Sequence, residues 1–337
     1  MKTYQKLLLI ILTFAFAPVV YGQTAKELTD EGVKLFDNGK YDDAIAKYKE
    51  AIKTDAKYAN AYYEIGYTYF STNKPLEAIP YLETTIKLLP NSGGAYDMLG
   101  SIYDDNNQTA KGIEYYLKGI SVDPNYQRLY YNLGLTYYRK KEYELAEERM
   151  IKAIMLEPKH ASSHKMYASI MYEQGKKGKA LLGWSSFLLL EPNSKRSVAA
   201  LKELNNIINY GIARVGDKVS MSVSNKELKG PDFIIPATVI AATADQRGLT
   251  RADSLTLQLT KLYSVADMFT GQTADPFFKA YFADYFKKLA STDNMPAFAR
   301  YISLMDNNEQ KVAWFKEHNE TLTKLDKWLN GTERKFN

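Results

Sequence analysis

Four prolines, Pro90, Pro124, Pro158 and Pro192, stand 34 residues apart along the chain. Glycines keep the same interval at Gly32, Gly66, Gly100 and Gly134, with Ala168 in the fifth place. A small-residue column runs Ala44, Ala78, Gly112, Ala146, Ala180, and an aromatic one runs Tyr62, Tyr96, Tyr130, with Leu28 before it and His164 after. A column of large residues follows as Leu35, Tyr69, Tyr103, Tyr137, Met171. Columns that agree in one register mean a stack of like units, because a single unit cannot bury its own apolar face.

Each unit reads as two helices. Apolar residues recur at three- and four-residue spacing, as in Ile65 and Tyr69 or Ala78, Leu82 and Ile86, which marks the buried stripe of an amphipathic helix. Short runs such as Asp37-Asn38-Gly39-Lys40 and Ser71-Thr72-Asn73-Lys74 break the pair. Small residues let the helices approach where they cross, and each proline ends a unit because it cannot continue a helix interior.

The segments Tyr62-Tyr63-Glu64-Ile65-Gly66-Tyr67-Thr68-Tyr69 and Tyr130-Tyr131-Asn132-Leu133-Gly134-Leu135-Thr136-Tyr137 carry the pattern most fully, and it resembles the tetratricopeptide repeat. The resemblance covers residues 25–194 in five units. It departs most in the third, where Gly112 and Gly119 stand in place of alanine, and Ala56 replaces the closing proline of the first. It implies an all-α fold: a superhelix of five helical hairpins whose concave surface binds a protein or an extended peptide. Carried onto this chain, the groove positions are Lys26, Thr29, Val33 and Phe36, then Asn60, Tyr63, Tyr67 and Phe70, then Gly94, Asp97, Ser101 and Asp104. Arg128, Tyr131, Leu135, Tyr138 and Arg139 follow, and the last unit supplies Ser162, Lys165, Ser169 and Tyr172. The candidate partner-binding set drawn from these is Tyr63, Tyr67, Phe70, Arg128, Tyr131, Leu135, Tyr138, Arg139, Lys165 and Tyr172. The family's clamp for a C-terminal carboxylate uses Lys and Asn, but Thr29 and Val33 occupy those places in the first unit, which argues against that ligand.

A stack needs a polar closing element. Ser194 reads as the cap of such a helix, residues 195–210, with Val198, Leu201 and Ile207 facing back onto the greasy fifth unit. Residues 211–235 read as a linker in which Val219, Met221 and Val223 alternate with serines, as a short strand or an extended segment. A smaller α-helical C-terminal domain, 236–337, follows. Its helices are expected from Thr250 to about Thr270, from Asp275-Pro276 to about Ala290, from Met295 to Met305, and from Asn308 to Asn330. Phe277, Phe278, Tyr281, Phe282, Tyr285 and Phe286 fill two columns of one of these helices, read as core packing first and as a docking face second.

The start of the chain reads as an address. Lys2 and Lys6 precede an apolar run, Leu7 to Ala17, which is too short for a membrane span of about 20 residues. Val20-Tyr21-Gly22 then offers a cleavage site before Gln23. This is the pattern of a secretory signal peptide over 1–22, and it places the mature chain in the periplasm or outside the cell. No later stretch is long and apolar enough for a membrane helix, so no integral span is expected in the mature chain, although a membrane-associated complex is compatible.

Zero cysteine excludes disulfides, thiol nucleophiles and a lipidated cysteine. A net charge of +5, falling to +3 without Lys2 and Lys6, gives no case for nucleic acid. His160 and His164 are four apart, but no third ligand has the spacing of a metal site. Phosphate loops and nucleophile elbows are missing, so no catalytic residue, metal or cofactor is assigned. The expected function is a non-enzymatic interaction scaffold in an envelope assembly. A glycan-binding protein is one alternative, because tyrosine rings stack on sugars, and an enzyme with a C-terminal site fed by the repeats is another. The 27 tyrosines are the unusual number. Packing accounts for Tyr62, Tyr69, Tyr96, Tyr103, Tyr130 and Tyr137, but less well for their neighbours Tyr63, Tyr67, Tyr131 and Tyr138.

Overall fold

The computed structural model describes residues 23–215, 218–224, 228, 230–243, 248–271, 275–306, 308–334 and 336. The expected signal peptide lies outside these described residues. The chain divides at Asp123/Pro124 into two compact units.

The first unit holds three helical hairpins. Their helices are α1 (Ala25–Asp37) and α2 (Tyr41–Thr54), α3 (Ala59–Ser71) and α4 (Pro75–Leu88), and α5 (Gly93–Asp105) and α6 (Thr109–Val122). The second unit opens with two more hairpins, α7 (Gln127–Arg139) with α8 (Tyr143–Leu156) and α9 (Ala161–Glu173) with α10 (Lys177–Leu190). Every first helix has 13 residues and every second helix 14, so the 34-residue interval of the sequence is the interval of the structure. The all-α class and the five hairpins match the expectation.

Within a hairpin the contact rests on what glycine lacks. A Cβ on Gly32 would lie 2.3 Å from the Tyr48 ring, one on Gly66 2.6 Å from Leu82, and one on Gly100 2.5 Å from Tyr116. A small residue on the first helix thus receives a large one from the second. The fifth hairpin reverses this: Ala168 carries a methyl, and Gly183 opposite leaves room for it, since a Cβ there would lie 2.9 Å from that methyl. The departure at Gly112 has the same cause. A Cβ there would lie 2.8 Å from the Gly100 carbonyl oxygen, so alanine would collide with backbone.

The turns repeat as strictly. Gly39, Asn73, Asn107, Lys141 and Gly175, again 34 apart, all adopt φ between 60° and 75°. The residue after each donates its N–H to a carbonyl five positions back: Lys40 to Leu35, Lys74 to Tyr69, Gln108 to Tyr103, Glu142 to Tyr137 and Lys176 to Met171. This is a Schellman closure, which satisfies carbonyls that a helix end otherwise leaves open. The aromatic column makes a second repeated bond. Tyr62 Oη donates to the Ala56 carbonyl (3.2 Å) and Tyr130 Oη to the Pro124 carbonyl (3.0 Å), while His164 Nε2 lies 2.9 Å from the Pro158 carbonyl. In these three units an aromatic side chain with a donor at its tip ties the first helix to the turn before it.

Helix α11 (Lys195–Ile208) begins 34 residues after α9 and occupies the place of a sixth first helix. Ser194 caps it, accepting from Ser197 N. Leu201, Leu204, Ile207 and Ile208 are buried as the spacing requires, but Val198 is 51% exposed, against expectation. Val198 sits in the aromatic column, where Tyr62 and Tyr130 instead reach the turn before them with a hydroxyl. Strands β1 (Ile212–Val215) and β2 (Lys218–Met221) then form an antiparallel hairpin, pairing Ile212 with Met221.

The remaining helices are α12 (Ile234–Thr243), α13 (Arg251–Ser264), α14 (Asp284–Ala290), α15 (Met295–Ile302), α16 (Asn308–Glu317) and α17 (Asn319–Gly331). Three segments differ from the sequence reading. Residues 266–270 tighten into a 3-10 turn, 278–283 form a π-helical stretch before α14, and the single helix expected from Asn308 to Asn330 breaks at His318. His318 takes non-helical angles and stacks on Trp314 at 4.2 Å.

The aromatic columns of this region are core, not a docking face. Phe277, Phe278, Tyr281, Phe282, Tyr285 and Phe286 are all buried. Phe282 stacks on Tyr167 at 5.0 Å and Tyr281 on His164 at 5.9 Å. Arg334 lies over four of these rings, 4.1 Å from Tyr285 at the nearest, and donates to Ser186 Oγ. Asp232 caps α10 from outside the repeat, accepting from Lys177 N and Gly178 N at 2.8 Å each. Lys179 pairs with Asp275 at 2.5 Å, and Tyr263 Oη donates to Ser185 Oγ. The closing of the fifth hairpin, assigned to one helix from the sequence, is thus shared between α11 and the C-terminal helices, which leaves α10 buried from Gly178 through Leu188.

Two predictions follow from these contacts. Lys141 holds an L side chain in the left-handed region, so Lys141→Gly should raise stability by about 0.5–1 kcal/mol in urea unfolding; a loss would show that the side chain holds the turn. His164 is fully buried, and burial first, then the Arg334 charge, hold its pKa down at about 3, well below the unfolded value near 6.5. The unfolded chain therefore takes up a proton that the folded one refuses. This share of stability is complete above about pH 6.5 and drains away as pH falls toward 3, at about 1.4 kcal/mol per pH unit. His164→Gln keeps a donor for Pro158 without titrating, and it should flatten the unfolding profile between pH 6 and pH 4 by that slope.

Candidate groove

In the first unit the groove positions form an aromatic row. Phe36, one residue before the end of α1, lies 5.3 Å from Tyr41 and 5.4 Å from Tyr67 of α3. Tyr67 stacks parallel on Tyr63 at 6.4 Å with 6° between the planes, as residues four apart on one helix allow. Tyr63 Oη rests over Gly94, where a Cβ would lie 2.7 Å from it. Tyr63 and Phe70 also pack on the core formed by Ala78, Leu82, Ala95, Met98, Leu99 and Ile102. The structure therefore separates the candidates: Tyr63 and Phe70 are half-buried and brace the stack, while Tyr67 stays 37% open. Tyr41 joins the row although the candidate set did not include it; it recurs three intervals later as Tyr143, which packs on Tyr138 as Tyr41 does on Phe36.

Polar groove residues of this unit are more deeply set than a solvated helix face suggests. Asp97 and Asp104 are buried, and Ser101 Oγ lies 3.0 Å from Tyr116 Oη. Glu64, the only charged residue of α3, has its pKa raised by burial and then by the Asp37 carboxylate.

In the second unit Tyr131 meets His160 edge to face at 5.1 Å, and Tyr138 meets Tyr143 at 5.8 Å. His160 belongs to a network rather than to a metal site. Its Nδ1 lies 2.8 Å from Ser163 Oγ and 3.0 Å from Gln127 Nε2, which also donates to Ser163 Oγ at 3.1 Å. Burial holds the His160 pKa down, and the Arg196 and Arg128 charges act in the same direction. Arg196 of α11 reaches back to Ser162 Oγ (3.0 Å) and pairs with Glu191. Arg128 and Arg139 are exposed, Leu135 and Lys165 half-buried, and Tyr172 is 41% open. The sequence reading missed Gln127, His160 and Arg196 as neighbours of Tyr131. The 34-residue step from Ser162 to Arg196 was the available signal.

Among the described residues no group of three or more His, Asp and Glu side chains could hold a metal ion. A cleft of about 840 Å³ beside the fifth hairpin is lined by both Glu147 and Asp275. Each carboxylate has its own lysine, Glu147 with Lys176 at 2.9 Å and Asp275 with Lys179 at 2.5 Å. Self-contained ion pairs of this kind fix loops; an acid–base couple needs carboxylates in contrasting environments. No helix among the described residues is long and apolar enough to cross a membrane.

Comparison with known proteins accords with this geometry. Family models described as TPR repeat and tetratricopeptide repeat match residues 32–73, 59–92, 93–126 and 115–148. No curated protein matches the chain. Among solved structures, PilF of Pseudomonas aeruginosa superposes with a TM-score of 0.50 at 16% identity, over 55% of this chain and 84% of that one. PilW, described as a type IV pilus biogenesis factor, gives 0.49 at 18% identity over 55% and 88%. The MamA protein gives 0.43 at 25% identity over 57% and 97%. These likenesses concern the fold.

The division between bracing and open rings is measurable. Tyr63→Ala should cost about 2–4 kcal/mol of stability, because it empties packed volume against the next hairpin. Tyr67→Ala should cost less than about 1 kcal/mol. Equal losses by thermal unfolding would show that both rings belong to the core.

Proposed function

The chain is a tetratricopeptide-repeat protein, its repeat matches running from residue 32 to residue 148, and from that premise we propose an exported, non-enzymatic scaffold whose groove holds an extended peptide or a partner's loop. The observation that carries the reading is the set of aromatic rings left open off the packing columns, with Tyr41, Tyr172 and Tyr67 the most exposed. Hairpin packing uses the columns and does not need these rings. Large side chains of few rotatable bonds with a polar tip gain much contact area on binding and lose little entropy, which is why tyrosine is enriched at energetic centres of interfaces.

Export is inferred from the charged, apolar and small-residue order of residues 1–22, and it makes an envelope assembly the setting. Each unit offers its own candidate contacts: Tyr67 in the first, and Tyr131, Tyr138 and Tyr172 in the second, where Arg128, Arg139 and Lys165 supply charge.

The reading is tested by affinity capture from envelope extracts. Wild-type protein should retain a defined partner, and the Tyr67→Ala/Tyr131→Ala double variant should lose it by about 10–100-fold in affinity at unchanged helicity. Equal capture by both proteins would sink the groove as the binding surface.

A further inference from the structure

The second unit holds a cavity of about 700 Å³ between α11, α13, the end of α15 and α16. That volume falls within the range of about 300–1,000 Å³ typical of small-molecule sites. Helix α13 gives the cavity one face, because Arg251, Ser254, Leu255 and Gln258 follow at the three- and four-residue spacing of a single stripe. Helix α11 gives Leu201, Asn205 and Asn209, four apart. Asn205 stands 34 residues after Met171, in the column that carries Leu35, Tyr69, Tyr103, Tyr137 and Met171. Where this column meets the cavity, an amide replaces the large residue of all five hairpins.

Several polar groups on these walls have no partner. Gln258 is only 9% exposed, yet its side-chain amide makes no hydrogen bond among the described residues. Buried amides are normally bonded, and leaving one without a partner costs free energy. The side chains of Asn205, Ser254 and Gln310 make none either. At the start of α13, Thr250 serves Asp253 N with its hydroxyl and Ser254 N with its carbonyl. The N–H groups of Arg251 and Ala252 stay without acceptors, as the first donors of a helix do.

The charges do not balance. Three cations line the cavity against one carboxylate, and a second carboxylate, Asp253, pairs with one of them. Arg300 is buried, lies 4.3 Å over Trp314 and meets Asp253 at 2.6 Å. Arg251 and Lys311 divide Asp306 between them, at 3.2 Å and 3.9 Å. Lys311 is buried as well and donates to the Ser303 and Asp306 carbonyls. One negative charge is missing, and the N-terminus of α13 favours the same sign.

We propose that this cavity binds a small molecule with one carboxylate and several hydroxyl or amide groups, either a sugar acid or an N-acylated amino acid. The carboxylate supplies the missing charge, accepting from the Arg251 guanidinium and from the open N–H groups of α13. The remaining groups exchange hydrogen bonds with the amides of Gln258, Asn205 and Gln310, each of which both donates and accepts. Nothing in this site depends on the groove.

Isothermal titration of the full chain tests it. Sodium glucuronate and sodium N-acetyl-L-alaninate probe the two sources, with glucose and inorganic phosphate as controls. One of the two carboxylates should bind with a Kd below about 100 µM, and glucose and phosphate at least about tenfold more weakly. Gln258→Leu and Arg251→Ala should each weaken that carboxylate about tenfold. Arg251 is exposed, so Arg251→Ala stays informative even if Gln258→Leu disturbs folding. Failure of both carboxylates to bind, equal binding of glucose or phosphate, or binding that both variants leave intact overturns the proposal.

Discussion

The close crossing of two helices over one small residue is the contact on which the rest of the fold depends. Gly32, Gly66 and Gly100 each receive a large side chain where a methyl group would collide with it. Glycine inside a helix costs up to about 1 kcal/mol relative to alanine. The hairpins carry that cost because the crossing buries Tyr48, Leu82 and Tyr116, and burial of a side chain of that size contributes about 1.5–3 kcal/mol. Where the second helix comes closer still, as over the Gly100 carbonyl, its own small residue shrinks to Gly112. Where the first helix keeps a methyl at Ala168, the second gives way at Gly183. What recurs across the units is a small residue at the crossing, and either helix can provide it.

The same constraint explains the tyrosines of the repeat columns. At Tyr62 and Tyr130 the column hydroxyl bonds to the carbonyl six residues earlier. Phenylalanine would fill the volume and leave that carbonyl without its donor, while histidine at position 164 supplies one from Nε2. The fifth unit can use imidazole because the C-terminal rings Tyr281 and Phe282 enclose it. Rings outside this logic, such as Tyr67 and Tyr172, are the ones that the architecture leaves open.

The repeats were legible in the sequence because their information is redundant: each column is written five times, and an error in one unit is corrected by the others. The left-handed turn position was legible at Gly39 and Gly175 but hidden at Lys141, where only the interval reveals it. The C-terminal region is written once. Its helices were found from caps, as at Thr250 and Asp275, but the break at His318 depends on a ring stacked on Trp314 and carries no local signal. The exposure of Val198 was misread because a column position alone does not say what stands against it. At the groove, spacing identified which positions lie off the columns. It did not separate Tyr63, which braces the next hairpin, from Tyr67, because both share one face of one helix and differ only in what stands opposite.

That last distinction bears on how a repeat array acquires a binding surface at all. A residue that touches the neighbouring hairpin is fixed by stability, since emptying it would loosen the stack. A residue four positions away on the same helix is less bound by that demand, yet it is held by stacking on the first, as Tyr67 is on Tyr63 at 6.4 Å, and by a ring of the preceding hairpin, Phe36 at 5.4 Å. Rigidity of this kind lowers the entropy lost on binding. The packed ring thus preorganises the open one, and the surplus of tyrosine in these helices serves both tasks through the same stacked pair.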